Sequence, residues 1–275
     1  MTKLLDGSDL VSFIKERQAR QVRGLRQAWH VFPKLAIVKP LGASSVIDTS
    51  VRMKGRYGDD ILIETVVESH SEDDMPAALE RLNSDESVHG IIVQLPLDDP
   101  ARTDEIVNMI APEKDVDGLG ENAGFESATA GAIAWLLAGY NVELKGKKIA
   151  VVGRGRLVGA PLAKMWQEIG YDVAVLSRKT MDLKAELKQS DVIITATGSP
   201  HLITTDMIKP GAVVVDAGTA SEDGVIVGDL DPAVRLRDDL TVTPEKGGVG
   251  PLTIAVLFDH VITAAQKVAQ AKETT

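Results

Sequence analysis

Short runs of Val, Ile, Leu and Ala alternate with helix-compatible stretches along almost all 275 residues, and this alternation restricts the fold most. Buried runs of this kind suit parallel strands covered on both faces by helices, because no face is left to alternate with polar residues. In the first part, Leu35–Val38, Ile61–Val67 and the run Gly90 to Gln94 read as strands. Helices are expected over residues 8–30, from Ser44 to Arg56, and after Ser71-Glu72-Asp73-Asp74, which resembles a capped helix start. The segment 112–127 is polar and weakly periodic and reads as a loop. Beyond it, the pattern predicts strands at Lys148–Val152, Val173–Leu176, Val192–Thr195, Val213–Asp216 and Thr241–Thr243. Helices are expected over Ala128–Leu137, near Pro161–Ile169 and over Leu252–Ala271. The result is α/β with two lobes: residues 1–125, completed by a C-terminal helix (250–275) packing back on them, and a Rossmann-type lobe over 126–249.

Composition closes several routes. Aromatic residues make up only 4% of the chain, and cysteine is absent, so disulfides, thiolate nucleophiles and Cys-ligated metals are excluded. His30, His70, His89, His201 and His260 are scattered without ligand spacing, and no metal is expected. A net charge of −10 argues against nucleic acid as a partner. No apolar run approaches the roughly 18 residues of a membrane span, and the opening residues lack the apolar centre of a secretion signal. A cytoplasmic location is the expectation.

The strand Lys148–Val152 runs into Gly153-Arg154-Gly155-Arg156-Leu157-Val158-Gly159 and then into a helix. Glycines at such a junction let backbone approach a pyrophosphate, and the helix start supplies unpaired N–H groups. The spacing is one residue longer than the commonest fingerprint, so strand–turn–helix order carries the assignment. An NAD site places an acid at the end of the next strand, roughly 20 residues on. Here that strand ends in Ser177-Arg178-Lys179-Thr180. Cations converging on one corner of an acidic protein favour the extra phosphate of NADP. Thr197-Gly198 and Asp216-Ala217-Gly218 end the following strands with small residues that leave room for a ligand.

Five separated segments resemble the methylenetetrahydrofolate dehydrogenase/cyclohydrolase family. They are Leu4-Leu5-Asp6-Gly7, Val93-Gln94-Leu95-Pro96-Leu97, the run Pro112 to Gly118, the glycine turn with Val158-Gly159-Ala160-Pro161, and Gly247-Gly248-Val249-Gly250-Pro251-Leu252-Thr253. The resemblance implies a folate-binding catalytic lobe, an NADP lobe, a cleft between them, and assembly as a homodimer. The partner it implies is a one-carbon derivative of tetrahydrofolate. It also implies that Gln94 and Asp117 hold the pterin end with Leu95 beside it, and that Gly247, Gly250 and Pro251 wall the reacting carbon. Gly153, Arg154, Gly155, Arg156, Val158 and Gly159 would meet the cofactor, with Ser177, Arg178, Lys179, Thr197, Gly198 and Thr219.

Three departures stand out. The family's cyclohydrolase lysine lies in a Tyr-x-x-x-Lys motif, and no tyrosine follows Ala43-Ser44-Ser45 here. Aligned from that serine pair, the tyrosine position holds Ile47, Asp48 or Thr49, and the lysine position Val51, Arg52 or Met53. Lys54 then reads as a further, surface lysine of the helix, and a dehydrogenase with weak or absent cyclohydrolase activity is expected. The alternatives are a full bifunctional enzyme using Lys54, and a folate- or nucleotide-binding homologue without turnover. Glu245-Lys246 replaces a Val-Pro pair, and Ser127-Ala128-Thr129-Ala130-Gly131 replaces a Pro-Cys-Thr-Pro-like segment.

Overall fold

The structure, a computed structural model, describes residues 3–222 and 225–273. In chain order the elements are β1 (Lys3–Leu4), α1 (Gly7–Ala28), β2 (Lys34–Pro40), α2 (Ser45–Asp60), β3 (Glu64–His70), α3 (Met75–Ser84), β4 (Gly90–Val93) and α4 (Thr103–Val107). They continue with α5 (Ala128–Gly139), β5 (Lys148–Val152), α6 (Gly159–Glu168), β6 (Asp172–Leu176), α7 (Leu183–Gln189), β7 (Val192–Thr195) and β8 (Val213–Asp216). The series closes with β9 (Ala220–Glu222), β10 (Val225–Val227), β11 (Thr241–Val242) and α8 (Val249–Glu273).

Two compact units are formed. One comprises residues 12–128 and 254–275. Its described strands make a parallel sheet in the order β3-β2-β4. The central strand buries Leu35, Ala36, Ile37 and Val38 completely, which is why its sequence is continuously apolar. Met75, Leu79 and Leu82 of α3 pack on one side with Ile106 and Val107. The part of α8 from residue 254 onward belongs to this unit; Gln18 donates to the Ala255 carbonyl at 2.8 Å, and Tyr57 stacks on Phe258 at 5.2 Å. By length and composition α8 is apolar enough to cross a membrane, contrary to the sequence expectation, but Val256, Leu257, Phe258, Val261 and Ile262 are core residues.

The other unit comprises residues 1–11 and 129–253. Its larger sheet is parallel, in the order β1-β11-β8-β7-β5-β6. The strand order reverses beside β5, the topology of a dinucleotide-binding sheet. The first eleven residues fall with this unit because β1 pairs with β11, a two-residue edge strand too short to announce itself in sequence. The antiparallel pair β9–β10 and helix α7 are also absent from the sequence reading. The run Ile61–Val67 divides: Ile61 and Ile63 are core residues of the turn after α2, and the strand proper starts at Glu64.

Candidate active site

Gln94 follows directly on β4, at the carboxyl end of the three-stranded sheet, and its backbone N–H donates to the Val38 carbonyl at 2.8 Å. Helix α2, which follows β2, is capped by Ser44, whose hydroxyl accepts from the Ile47 N–H. The face α2 buries carries Ile47, Val51, Lys54 and Gly58, spaced four, three and four residues apart. Lys54 therefore points inward, and only 9% of it is exposed. Its Nζ donates to Gln94 Oε1 at 2.8 Å and to Ser50 Oγ at 2.9 Å.

This overturns the reading of Lys54 as a surface lysine. Arg52 and Met53 are the exposed residues, and Val51 is core. Ser50 lies four residues before Lys54, one helical turn earlier, and its hydroxyl meets the Lys54 amine. The chain carries Ser-x-x-x-Lys.

Loss of hydration lowers the Lys54 pKa below the usual lysine range, and the negative charge of Asp117 opposes that fall. Asp117 is pushed up to about 6, chiefly by desolvation, with Lys54 pulling it down and Asp115 raising it. Burial thus shifts the lysine downward and the carboxyl upward, and perturbed groups of this kind mark candidate functional sites. The loop carrying Asp117 is held by Asp115, a buried residue whose carboxylate accepts from the N–H groups of Gly118 at 3.0 Å and Gly120 at 2.8 Å. His260 Nδ1 donates to the Val116 carbonyl at 2.8 Å and stacks on Phe125, so it braces the same loop. Gln94 Nε2 donates to the Leu95 carbonyl at 3.1 Å, and the Leu95-Pro96 bond is cis.

In the Rossmann-type unit, Gly153 leaves β5 with φ +114°, and a Cβ there would sit 2.3 Å from the Ala196 carbonyl oxygen. A Cβ at Gly159 would lie 2.2 Å from the Gly153 carbonyl oxygen. Both positions demand glycine. Nothing crowds Gly155, so a Cβ there would meet open space. Val158 precedes α6 without a side-chain cap; in the first turn Ala160 donates its N–H to the Gly155 carbonyl at 3.1 Å and Pro161 has none, so the Gly159 N–H is the one left to face an anion. Arg154, Arg178 and Lys179 are exposed and Arg156 is half-buried. Ser177 and Thr180 close the turn after β6, the Ser177 N–H donating to Thr180 Oγ1 at 2.9 Å. A surface depression lined by Arg154, Ala160, Lys164 and Val175 lies beside the turn. A glycine cradle, a helix start and nearby cations fit a phosphorylated dinucleotide. Gly247, Gly250 and Pro251 lie where α8 begins; the Gly247 carbonyl accepts from the N–H groups of Gly7 and Ser8, which ties the first motif to the last.

Two carboxylates whose role sequence reasoning missed shape the small-residue loops. Asp229, fully buried, accepts from Thr195 Oγ1, from the Thr197 N–H at 2.7 Å and from the Ser199 N–H at 3.0 Å. Asp216 accepts from the N–H groups of Gly218, Asp229 and Leu230 and from Arg235 at 2.8 Å. Thr197, Gly198 and Thr219 stand on loops so fixed. The partners of Asp229 lie about thirty residues away, so no local pattern announces it. Among the described residues there is no cluster of metal-ligating side chains.

A dinucleotide sheet joined in one chain to an α/β unit with an inward lysine, glutamine and carboxylate defines a pyridine-nucleotide oxidoreductase that carries its own substrate domain. Residues 5–117 match the catalytic domain, and residues 127–269 the NAD(P)-binding domain, of tetrahydrofolate dehydrogenase/cyclohydrolase. The bifunctional protein FolD of Bordetella avium is 38% identical, over 96% of this chain and 98% of its own. The solved bifunctional FolD of Campylobacter jejuni matches with TM-score 0.91 and 34% identity, over 98% of this chain and 100% of the other. The Trypanosoma brucei enzyme, solved with NADP cofactor and inhibitor, matches with TM-score 0.88 and 28% identity, over 97% and 98%. The chain belongs to the tetrahydrofolate dehydrogenase/cyclohydrolase family.

Proposed function

We propose that this protein oxidises 5,10-methylenetetrahydrofolate with NADP and also hydrolyses the methenyl product. The observation that carries the second activity is the burial of Lys54 against Gln94, in the field of Asp117. The expectation of weak hydrolysis rested on the lysine position being filled by Val51, Arg52 or Met53; the inward placement of Lys54 supports the bifunctional reading instead.

In the oxidation, a hydride leaves the methylene carbon and the two flanking nitrogens share the cation left behind. No general base is required; what is required is orientation at near-contact distance. Gln94 and Asp117 supply it by holding the pterin end, and Leu95 packs beside it. Bound NADP would supply the hydride acceptor, its nicotinamide ring. Gly153 and Gly159 admit its pyrophosphate, and Arg154, Arg156, Arg178 and Lys179 meet its phosphates, with Ser177 at the ribose corner. Thr197, Gly198 and Thr219 line the nicotinamide side.

In the hydrolysis, a water oxygen adds to the methenyl carbon and Lys54, as the free amine, takes the water's proton. One C–N bond then breaks, its electron pair stays on nitrogen, and Lys54 returns the proton there. The hydroxyl proton leaves as the formyl C=O forms. A lysine whose pKa is lowered by burial is available as a free amine at lower pH than an exposed one. Gln94 holds the amine at the place of attack. The family likeness also supports a homodimer, which sedimentation of the purified protein would test.

The test is spectrophotometric. Adding methylene-folate to protein and NADP should produce NADPH, with NAD a poorer substitute. Binding of both ligands without NADPH formation would instead identify a non-catalytic homologue.

A further inference from the structure

Lys54 Nζ has four tetrahedral directions. One is the bond to Cε. Gln94 Oε1 at 2.8 Å and Ser50 Oγ at 2.9 Å take two more. In the free amine both N–H groups are engaged by these acceptors, so the lone pair has a single direction left. In the ammonium form the same direction holds the exchangeable proton. From this geometry we infer that Ser50 is a positioning residue for hydrolysis: together with Gln94 it fixes the one direction along which Lys54 takes and returns a proton.

The inference rests on Lys54 being the proton-transfer group, and it concerns a residue that the family resemblance did not single out. Without Ser50 the amine has one acceptor and rotates about Cδ–Cε and Cε–Nζ between acceptors, and its lone pair sweeps a cone. Ser50 sits on the same buried side of α2, one turn before Lys54, and is itself half-buried, so the contact is built into the helix. It also acts on proton affinity. A hydroxyl oxygen accepts a stronger bond from an ammonium than from an amine, so Ser50 favours the charged form. Asp117, on the loop facing α2, does the same through its charge. Gln94, at the end of β4, is neutral. Removing the hydroxyl should therefore lower the pH at which Lys54 becomes free amine, and at the same time slow the reaction.

The experiment compares Ser50→Ala, Ser50→Thr and Lys54→Met with the unaltered full chain, assaying methenyl-folate hydrolysis across pH and NADP-dependent oxidation in parallel. Ser50→Ala should reduce hydrolytic kcat about tenfold, a part of the 10²–10⁴ that general acid–base catalysis supplies. Its pH profile should move to lower pH. Oxidation should change much less. Ser50→Thr, which keeps the hydroxyl, should restore both rate and profile. If Lys54→Met abolishes hydrolysis while Ser50→Ala leaves rate and pH profile unchanged, Ser50 has no positioning role and the inference fails alone. If Ser50→Thr behaves like Ser50→Ala, the effect is one of packing, and the inference fails too. If Lys54→Met hydrolyses as fast as the unaltered chain, the reading of Lys54 itself is wrong.

Discussion

On the proposed function, the two units recognise their ligands by different means. In the Rossmann-type unit the decisive atoms are main chain: Gly153 and Gly159 are required because a Cβ would strike a carbonyl oxygen 2.3 or 2.2 Å away. Recognition there follows from where backbone goes, and charge on exposed side chains adds selectivity. In the other unit the decisive atoms are side-chain termini, Lys54 Nζ, Gln94 Oε1 and the Asp117 carboxyl; burial and mutual charge set the proton affinities of Lys54 and Asp117. A backbone site tolerates changes of side chain and fails when a Cβ intrudes. A side-chain site fails at single atoms. The two units should therefore separate under mutation.

The largest separation is expected from Lys54→Met. Hydrolysis of methenyl-folate should fall by about 10²–10⁴-fold, the usual contribution of a positioned acid–base group. Oxidation, measured as NADPH formation, should fall much less. Next comes Gly153→Ala: a strained φ and an obstructed Cβ cost about 1–3 kcal/mol, so KM for NADP should rise roughly tenfold or more with hydrolysis intact. Equal losses of both activities in either variant would break the distinction.

Smaller effects sharpen it. Replacing Arg178 and Lys179 with alanine should weaken NADP by about tenfold while NAD is hardly affected, since one charge-assisted bond contributes about 1.5–3 kcal/mol. Unchanged preference in steady-state kinetics would remove these residues from phosphate recognition. The smallest effect is on pH. Asp117 is pushed up to about 6, so its carboxylate is present above that pH and is lost as pH falls through it. KM for methylene-folate should rise a few-fold below pH 6, and Asp117→Asn should remove that rise.

The same contrast explains what the sequence disclosed. β5, β7 and β8 were legible to the residue because each is a short apolar run buried on both faces. The glycine turn was legible because its requirement is local, although only Gly153 and Gly159 of its three glycines are sterically required. Lys54 was misread because the motif was counted from Ser45, whereas helical phase decides which residue faces inward. Val51, Lys54 and Gly58 share a side of α2, and a lysine on that stripe was the available sign. Asp229, Asp216 and Asp115 were illegible: each holds backbone N–H groups that only folding brings to it. β1 escaped because two residues make no pattern, and the first residues joined the other unit through it.

We propose that a buried Lys54, bonded to Gln94, gives this protein the hydrolytic step as well as the oxidative one. It is tested most directly by following decay of methenyl-folate absorbance with the purified full-length protein against the buffer rate. Decay well above buffer, in a preparation that also forms NADPH from methylene-folate, is the predicted result. Decay at the buffer rate in a preparation that still forms NADPH would contradict the account.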